Sequence, residues 1–400
     1  MPAVEIRPDV YWIGVNDRTT DLFEGLWPIS KEGVSYNAYL INDKKKAIVD
    51  LAKAFKSDEF IDQISSIIDI QSLDYIIINH MEPDHSGILK MLRKLAPNAK
   101  ILCSEKAVHM LEAFYGIKEN IHVVQDGETL SLGKHELQFF MTPFVHWPET
   151  MMTYENSQNI LFSCDAFGGY GAFAGNIFDN TCKNPEFYKK EALRYYVNIV
   201  AKFSTPVLKA IDKLANIEIK VIAPSHGLIW RKHPERIIEL YKTWASYAQG
   251  ESESGIALIY GSMYGNTEKM MNAVAQGISM TGIPVEIFDA ARIHVSYLLP
   301  ALWIYKGVMI GAPTYEGNLF PPVENVLKKA ILKRIVGKHA AYFGSYGWSG
   351  GALRSLSKLI ESLKWSLQGQ LDFCGEPNDS LLKQGEAFGT QFAQLVKQKV

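Results

Sequence analysis

Apolar runs that end in polar loops alternate along the chain with segments whose apolar residues recur at helical spacing. Residues 75–78, Tyr-Ile-Ile-Ile, are aromatic and β-branched and predict a buried strand. From Ile88 to Leu95 the apolar positions recur with the period of a helix. A strand therefore ends and a helix begins on either side of residues 79–87. Pro83 is expected to keep that connection out of the helical conformation.

The same pattern divides the chain into two parts. Strands interleaved with helices, as before residue 249, are typical of a sandwich of sheets covered by helices. Regular alternation after residue 255 is typical of a doubly wound parallel sheet. Residues 249–255 are polar and predict a flexible linker. The predicted strands are 10–15, 36–41, 47–51, 75–78, 101–103, 122–125, 137–142, 160–164, 221–224, 256–260, 308–312 and 340–344, and the predicted helices are 58–68, 88–95, 105–115, 237–248 and 268–280.

Composition narrows the class of protein. A chain of 400 residues is too long for one ordinary core and suggests two or three domains. A net charge of -2 gives no indication of a nucleic-acid or membrane partner. The four cysteines are far apart and form no Cys-x-x-Cys pair, which argues against a disulfide framework, a zinc ribbon or an attached rubredoxin module. With no signal-peptide pattern at the start of the sequence, the expected location is the cytoplasm.

Two imidazoles and two carboxylates lie within six positions after the strand at residues 75–78. These are His80, Glu82, Asp84 and His85. Groups packed so closely perturb one another unless a cation lies between them, so the loop predicts a metal site. A single residue of this kind is more often solvated, and Asp84 could simply cap the following helix. Four of them at the end of a buried strand favour the metal.

Three further residues of metal-binding type follow predicted strands. His146 follows the strand at 137–142, Asp165 closes the one at 160–164, and His226 follows 221–224. Each alone is a weak signal, because a buried histidine is more often bonded to backbone and an aspartate after a strand is often a cap. Their number and their spacing along the chain strengthen the signal. The other histidines are expected to be structural: His109, His122, His135, His233, His294 and His339.

The spacing of these residues resembles that of a known fold. The loop is similar to the His-x-His-x-Asp-His signature of the metallo-β-lactamase fold, with Glu82 in place of the second histidine. A carboxylate there makes the site harder and suits iron better than zinc. That exchange resembles the loop of the flavodiiron proteins. The resemblance implies one iron held by His80, Glu82 and His146, a second held by Asp84, His85 and His226, and Asp165 as the bridge between them.

The second part of the chain carries three candidate cofactor loops. Residues 261–267, Gly-Ser-Met-Tyr-Gly-Asn-Thr, join a strand to a helix and offer hydroxyls and backbone donors for a phosphate. The lysine of a P-loop and the glycine pattern of a dinucleotide site are absent, and a plain polar turn is the alternative for this loop taken alone. Two later loops follow the strands at 308–312 and 340–344. Loops at the carboxyl ends of such strands bind a ligand at the switch point of a doubly wound sheet.

These three loops resemble those of flavodoxins, which bind FMN. Tyr315, Tyr346 and Trp348 could flank the flavin ring, although any one of them could equally be a core residue. The run Gly347-Trp348-Ser349-Gly350 resembles the flavodiiron version of the third loop. The resemblance implies FMN contacts from Ser262, Met263, Tyr264, Gly265, Asn266, Thr267, Pro313, Thr314, Tyr315, Glu316, Gly317, Asn318, Ser345, Tyr346, Gly347, Trp348, Ser349 and Gly350.

The whole chain therefore resembles a flavodiiron protein. The implied fold is an αββα metallo-β-lactamase-like diiron domain at residues 1–249, followed by a doubly wound flavodoxin-like FMN domain at residues 255–400. The implied activity is reduction of dioxygen to water, of nitric oxide to nitrous oxide, or of both, with no catalytic residues beyond the metal ligands. The implied partners are an external electron donor such as rubredoxin and a second copy, in a head-to-tail homodimer or a dimer of such dimers.

Two other classes of protein are compatible with parts of the sequence. A dinuclear zinc hydrolase with an appended flavodoxin-like domain would use the same loops, but Glu82 argues against zinc. An electron-transfer protein with a purely structural first domain would not need its metal ligands, whereas all seven candidates are present. Metal analysis distinguishes the first alternative from a diiron enzyme.

Overall fold

The computed structural model describes residues 2–250 and 252–398. The chain separates into two compact units, Met1–Ala245 and Ser246–Val400. Each unit has its own β-sheets and its own buried apolar cluster. Within the described residues, none of the helices combines the length and apolar character that a membrane span requires.

The first unit is a sandwich of two β-sheets that share one core. Trp12 and Val49 of the larger sheet lie in the same buried cluster as Phe139 and Phe162 of the smaller one, as expected where two sheets pack face to face. In spatial order the larger sheet contains β1 (Val4–Arg7), β2 (Val10–Trp12), β7 (Tyr39–Asn42), β8 (Lys46–Val49), β9 (Tyr75–Ile77), β10 (Lys100–Cys103) and β11 (Ile121–Val123). The smaller sheet contains β12 (Thr129–Ser131), β13 (Glu136–Met141), β14 (Met151–Glu155), β15 (Ile160–Cys164) and β16 (Val221–Pro224), and two short pairs join β3 (Val15–Asp17) to β6 (Val34–Tyr36) and β4 (Leu22–Phe23) to β5 (Trp27–Pro28).

The helices of the first unit follow recognisable start and stop signals. The helix at Glu105–Tyr115 follows Ser104 and ends at Gly116, whose φ of 68° is left-handed and favours glycine. Ala107 and Leu111, four residues apart, form its buried face. The helices are α1 (Ser57–Ser65), α2 (Pro83–Ser86), α3 (Leu89–Leu95), α4 (Glu105–Tyr115), α5 (Pro185–Tyr195), α6 (Ser204–Leu214) and α7 (Pro234–Ser246), with a π-helical turn at Tyr196–Val200 between α5 and α6.

Pro83 begins a helix, and the expectation that it would exclude helix is wrong. It occupies the first turn of α2, where the missing proline N–H removes no helical hydrogen bond. The N–H groups of His85 and Ser86 donate to the carbonyl oxygen of Glu82 at 2.9 and 3.1 Å. This single turn directs Asp84 and His85 into the interior, where both are buried. The helix therefore helps to place two of the predicted metal-binding residues.

The second unit is a five-stranded parallel sheet flanked by helices. Its spatial order places the first strand between the second and the third, which is the flavodoxin-like order 2-1-3-4-5. All four strand pairs are parallel. In spatial order the strands are β18 (Val285–Asp289), β17 (Glu253–Tyr260), β19 (Tyr305–Gly311), β22 (His339–Tyr346) and β23 (Ser366–Cys374), with β20 (Thr314–Tyr315) paired to β21 (Asn318–Leu319) outside the sheet, and the helices are α8 (Asn266–Ser279), α9 (Leu299–Ile304), α10 (Pro321–Leu332), α11 (Ala352–Leu363) and α12 (Asp379–Gln398).

The segment predicted to be a flexible linker, residues 249–255, makes specific hydrogen bonds within the second unit. The Tyr247 hydroxyl donates to the Glu253 carboxylate at 2.5 Å. The buried ammonium group of Lys338 donates to Ser252 and to the Trp303 carbonyl, both at 2.8 Å. Glu251 lies outside the described residues. The polar side chains on either side of it therefore hold the chain against the second unit.

A buried ion pair in the first unit predicts a pH-dependent contribution to stability. His135 Nδ1 lies 2.9 Å from the Glu155 carboxylate, and both residues are buried. The hydrogen bond to Glu155 raises the pKa of His135, although burial opposes it. Burial would raise the pKa of Glu155, but hydrogen bonds from His135 and from two backbone N–H groups lower it overall.

We expect His135→Gln to lower the free energy of unfolding most between about pH 4.5 and 6.5, the unfolded-state pKa values of the two side chains. The stabilisation from His135 is complete below its unfolded pKa and is lost as pH rises through the raised folded value. The stabilisation from Glu155 is lost as pH falls below about 4.5. Breaking a buried pair costs about 3 kcal/mol. Calorimetry of the full chain against pH would contradict this if the difference between variant and parent did not shrink above neutral pH.

Candidate metal centre and flavin-binding loops

The seven predicted metal-binding residues converge at one edge of the sandwich. The strands β13, β15 and β16 run in the same direction, so their carboxyl ends meet at that edge. Strand β9 of the larger sheet ends beside them, before the loop that leads into α2. Six of the seven residues are buried and Glu82 is partly buried. The structure groups them as His80, Glu82, His146 and Asp165 in a first cluster and Asp84, His85 and His226 in a second.

In the first cluster, imidazole nitrogen atoms and carboxylate oxygen atoms face one another at short distances. Oε2 of Glu82 lies 3.2 Å from Nε2 of His80 and 3.2 Å from Nε2 of His146. Oδ2 of Asp165 lies 3.4 Å from each of the same nitrogen atoms. All four ligand-type atoms are within 4.8 Å of one another. Two imidazoles and two carboxylates thus point at a common centre.

The second cluster shares Asp165 with the first. Oδ1 of Asp165 lies 3.1 Å from Nε2 of His85 and 3.4 Å from Nε2 of His226. The two oxygens of Asp84 lie 3.4 Å and 3.3 Å from the same two nitrogens. Because one Asp165 oxygen faces each cluster, its carboxylate lies in the position of a bridge. The His85 ring points into the second cluster.

The distances and the unsatisfied atoms of both clusters fit a pair of cations. Ligand atoms held at about 2.1 Å from one metal ion stand about 3.0 to 3.4 Å from their nearest neighbours in octahedral or tetrahedral sites. The nitrogen-to-oxygen distances of 3.1 to 3.4 Å lie in that range. Both Asp84 oxygens, Oδ2 of Asp165 and Nε2 of His226 are buried without a hydrogen-bond partner among the described residues. Three carboxylates among seven ligands favour a hard divalent metal such as iron.

The carboxylates also shift the pKa values of the clustered histidines. Burial alone would lower the pKa of His146 and His226, but Asp165 outweighs it, helped by Glu82 in one case and Asp84 in the other. The pKa rises to about 9 for His146 and about 10 for His226. Conversely, although burial opposes the charged form, the surrounding histidines hold the pKa of Asp165 well below its usual range. The carboxylates around His146 and His226 therefore favour positive charge at the centre of both clusters, as a bound metal ion would supply.

Three groups that the sequence did not reveal make hydrogen bonds that orient the clustered residues. Glu149 accepts hydrogen bonds from His80 Nδ1 at 2.7 Å and from the N–H of Met81 at 3.0 Å. His226 Nδ1 donates to the carbonyl oxygen of Ser35 at 2.7 Å. These bonds fix the tautomer that turns each Nε2 towards the clusters. The Tyr195 hydroxyl, at the end of α5, donates to Oδ1 of Asp165 at 2.8 Å.

We expect Glu149→Gln to weaken metal binding at the first cluster by about 10- to 100-fold, the usual effect of losing an outer-shell carboxylate. The amide oxygen can still accept from His80, but it lacks the charge that makes the imidazole a stronger ligand. Chelator competition measures the affinity of each site. Glu155→Gln is the matched control, because it changes another buried carboxylate–histidine pair outside both clusters. Equal loss in both variants would contradict a specific role for Glu149.

The three predicted flavin loops follow neighbouring parallel strands, β17, β19 and β22, at one edge of the second unit. Thr267 on the first loop and Ser345 on the third are joined through their hydroxyls at 2.9 Å. Thr314 on the second loop accepts from the N–H of Ala352, just after the third, at 3.3 Å. Helix α8 begins at Asn266, and the first N–H groups of such a helix have no partner within it. The loops therefore form one continuous rim with a phosphate-type site at a helix start.

Aromatic side chains on this rim stand open to solvent. The rings of Tyr264 and Trp348 are each 91% exposed, and Tyr315 is 40% exposed. Gly265 has a φ of 91°, and a Cβ there would meet nothing within 4 Å, so the loop leaves open space above the helix start. Exposed rings beside open backbone donors fit a flat, phosphorylated ligand such as FMN. None of these three aromatics is a core residue.

The first unit is a β-lactamase-like sandwich with two adjacent clusters of metal-binding side chains, and the second is a flavodoxin-like sheet. Together they define a two-module redox metalloprotein. Residues 34–227 match the family model described as ODP family beta lactamase, and residues 258–389 match that of flavodoxin. A nitric oxide reductase from Moorella thermoacetica is 35% identical over 367 residues, covering 91% of each chain.

Solved structures match the whole chain. The flavodiiron protein from Giardia intestinalis has a TM-score of 0.94 and 27% identity, covering 100% of this chain and 97% of that one. The rubredoxin oxygen:oxidoreductase from Desulfovibrio gigas has a TM-score of 0.92 and 28% identity, covering 99% of both chains. The chain belongs to the flavodiiron protein family. It is an oxidoreductase whose cofactors are FMN and a non-haem pair of iron ions.

Proposed function

We propose that this oxidoreductase reduces dioxygen to water, nitric oxide to nitrous oxide, or both, at the paired clusters of the first unit. The observation that carries the proposal is the Asp165 carboxylate, which presents one oxygen to each cluster. A shared carboxylate holds two metal ions close enough to act on one small molecule. The names of the Moorella thermoacetica and Desulfovibrio gigas relatives, a nitric oxide reductase and an oxygen oxidoreductase, support the two substrates.

Each of the seven clustered residues has a role in this proposal. The first iron is assigned to His80, Glu82 and His146, the second to Asp84, His85 and His226, and Asp165 bridges them. When bound, two ferrous ions and a reduced FMN together supply the four electrons that convert dioxygen and four protons to two waters, or the two that convert two nitric oxide molecules and two protons to nitrous oxide and water. Burial raises the pKa of Tyr195 well above its usual range, so its hydroxyl keeps the proton it donates to Asp165.

The flavin rim is assigned to FMN in the same proposal. The N–H groups at the start of α8 and the hydroxyls of Ser262 and Thr267 would hold the phosphate. Tyr315 and Trp348 would flank the ring. Electrons would reach the flavin from an external donor, for which the name of the Desulfovibrio gigas enzyme supports rubredoxin. The four cysteines are free thiols, which favours a reducing compartment such as the cytoplasm.

We also assign a head-to-tail homodimer, which could assemble further into a dimer of dimers. The exposed Tyr264 and Trp348 rings form an aromatic patch on the flavin rim. Near His146, the Phe144 ring is 45% exposed, stacks on Phe203 and lies under the ammonium group of Lys106. Exposed apolar patches of this kind mark interaction sites. In a two-fold dimer, each chain can cover the partner's patch, so two equivalent junctions form at once.

Metal and flavin content tests the assignment. Full-length protein purified without chelator should hold about two irons and one FMN per chain, because the donor set suits iron and the rim suits a flavin phosphate. Turnover of dioxygen and of nitric oxide should then be measured side by side under controlled gas. Glu82→His is the matched variant, since it restores the zinc-type signature and should raise the ratio of zinc to iron. Two zinc ions and no iron in the parent, after growth in iron-replete medium, would overturn the redox function in favour of the hydrolase.

A further inference from the structure

An early hairpin inserts an aromatic ring beside the second metal cluster. The hairpin comprises residues 22–28, with β4 paired to β5. Its Phe23 is 5% exposed, and the ring lies edge-on to His226 with 5.4 Å between centroids. The same ring contacts Tyr170 at 5.5 Å and Tyr195 at 6.1 Å. Phe23 therefore forms part of an apolar wall around a predicted metal ligand, and the position of that wall depends on the hairpin.

Arg194 connects this hairpin to the body of the first unit. It lies in the last turn of α5, is 2% exposed, and its Nε donates to Glu191 at 2.7 Å. Its Nη1 donates to the carbonyl oxygen of Pro28, the last residue of β5, at 2.9 Å. Its Nη2 lies 3.5 Å from the Glu32 carboxylate, and the guanidinium lies 4.4 Å from the centre of the Tyr170 ring. One buried cation thus touches the hairpin, the segment after it and the aromatic wall.

A buried charge cluster of this kind is a poor source of stability. Removing an arginine and two carboxylates from water costs several kcal/mol for each ion, and apolar residues of similar volume often serve a fold as well or better. What arginine adds is geometry, because its planar group directs several N–H donors along fixed lines. Here one N–H donates to a carbonyl oxygen of the hairpin and another to the Glu191 carboxylate, while the Glu32 carboxylate forms an ion pair with the same guanidinium. The cluster is therefore better explained by the position it imposes than by the energy it supplies.

We infer that Arg194 is a positioning residue that, through the early hairpin, holds Phe23 against His226 and so sets the size and dryness of the gas-binding space beside the second cluster. This inference rests on the proposed function, since it assumes that a gas binds at the iron pair. Arg194 contacts the Pro28 carbonyl and the Tyr170 ring, so its effect on Phe23 passes through these two groups. A displaced hairpin would admit water and loosen the wall while leaving the seven metal-binding side chains in place.

The test uses full-length Arg194→Gln and the conservative Arg194→Lys. Arg194→Gln should raise the KM for the gas about tenfold while kcat changes less than about twofold, because binding and not the electron supply is altered. Amide hydrogen exchange in residues 22–28 should become about tenfold faster or more, a readout that requires no turnover. Arg194→Lys keeps the positive charge but loses the planar group with its several N–H donors. The increase in KM and the increase in hydrogen exchange should therefore both be intermediate. Phe23→Leu should reproduce the change in KM. Because this variant retains the arginine, it tests the aromatic wall even if Arg194→Gln fails to fold.

The matched control is His135→Gln, which breaks another buried ion pair of the first unit and leaves the hairpin alone. It should lower stability without changing the KM or the exchange of residues 22–28. The same changes in this control, or parental values in folded Arg194→Gln, would overturn the inference; if Arg194→Gln fails to fold, parental values in Phe23→Leu would do so. Iron content is measured first in every sample. Parent protein without iron would refute the proposed function, whereas an iron-loaded variant with a normal KM and normal hairpin exchange would refute only the role of Arg194.

Discussion

Replacing Asp165 with alanine should reduce the iron content from about two per chain to nearly none. Its Oδ2 faces the first cluster and its Oδ1 the second, so one substitution removes a ligand-type atom from each. Each cluster would also lose a negative charge that favours a cation at its centre, so metal binding at both sites should weaken together. Iron and zinc are measured by elemental analysis of the purified full-length protein.

His226→Ala is the informative comparison for that experiment. His226 belongs to the second cluster alone, so its loss should release mainly one iron and leave the first site occupied. Glu155→Gln, which alters a buried carboxylate away from both clusters, should retain both irons. Equal and partial loss of iron in Asp165→Ala and His226→Ala would contradict the bridge. Folding of each variant is checked by calorimetry, since the flavin reports on the second unit, which carries a separate core.

The sequence predicts the seven residues that the structure brings together because they follow apolar runs that end in loops. His146, Asp165 and His226 follow strands whose buried residues are visible as short stretches of β-branched and aromatic side chains. Parallel direction then brings the ends of β13, β15 and β16 to one edge. The division into two clusters came from family resemblance, and the structure now provides distances that are consistent with it.

The supporting residues could not be identified in the same way. Tyr195 lies 30 residues beyond Asp165, at the end of a helix that the apolar pattern did not predict. The Ser35 carbonyl is a backbone group, and no sequence feature marks it as a partner of His226. Glu149 offered a signal, since it lies three residues after His146, but a single carboxylate in a loop is usually solvated. Such roles depend on contacts between distant parts of the chain.

The predictions were most accurate for a helix with clear start and stop signals and for strands whose two faces are buried. The helix predicted at 105–115 is α4, with the same bounds. Two central strands of the second unit, β17 and β22, contain the predicted runs, and a third, β19, contains its run up to Gly311. The edge strands β18 and β23 escaped prediction because they are partly exposed and mix polar with apolar residues. A parallel strand reads as a continuous apolar run only when both of its faces are buried.

The second large expected effect depends on whether a flavin passes its electrons to the irons of its own chain or to those of a partner chain. Each chain carries an exposed aromatic patch on its flavin rim and another near His146. We propose that these patches meet between two chains, so that the flavin of one chain faces the clusters of its partner. A chain with Asp165→Ala lacks irons but keeps its flavin, whereas a chain with Thr267→Ala and Trp348→Ala keeps its irons but binds FMN poorly.

Mixed dimers of these two inactive chains should recover about half of the parental activity, because one of the two equivalent junctions pairs an intact flavin with intact clusters. The reciprocal control places all three substitutions on one chain and pairs it with a parental chain. In a cross-chain arrangement, each junction of that dimer contains a defect, so turnover should be nearly lost. If electrons instead pass within a chain, the parental chain stays active and half of the parental turnover remains. Differently tagged chains allow each mixed dimer to be purified before the assay. Stable mixed dimers of the first kind with no recovered turnover would exclude the cross-chain arrangement.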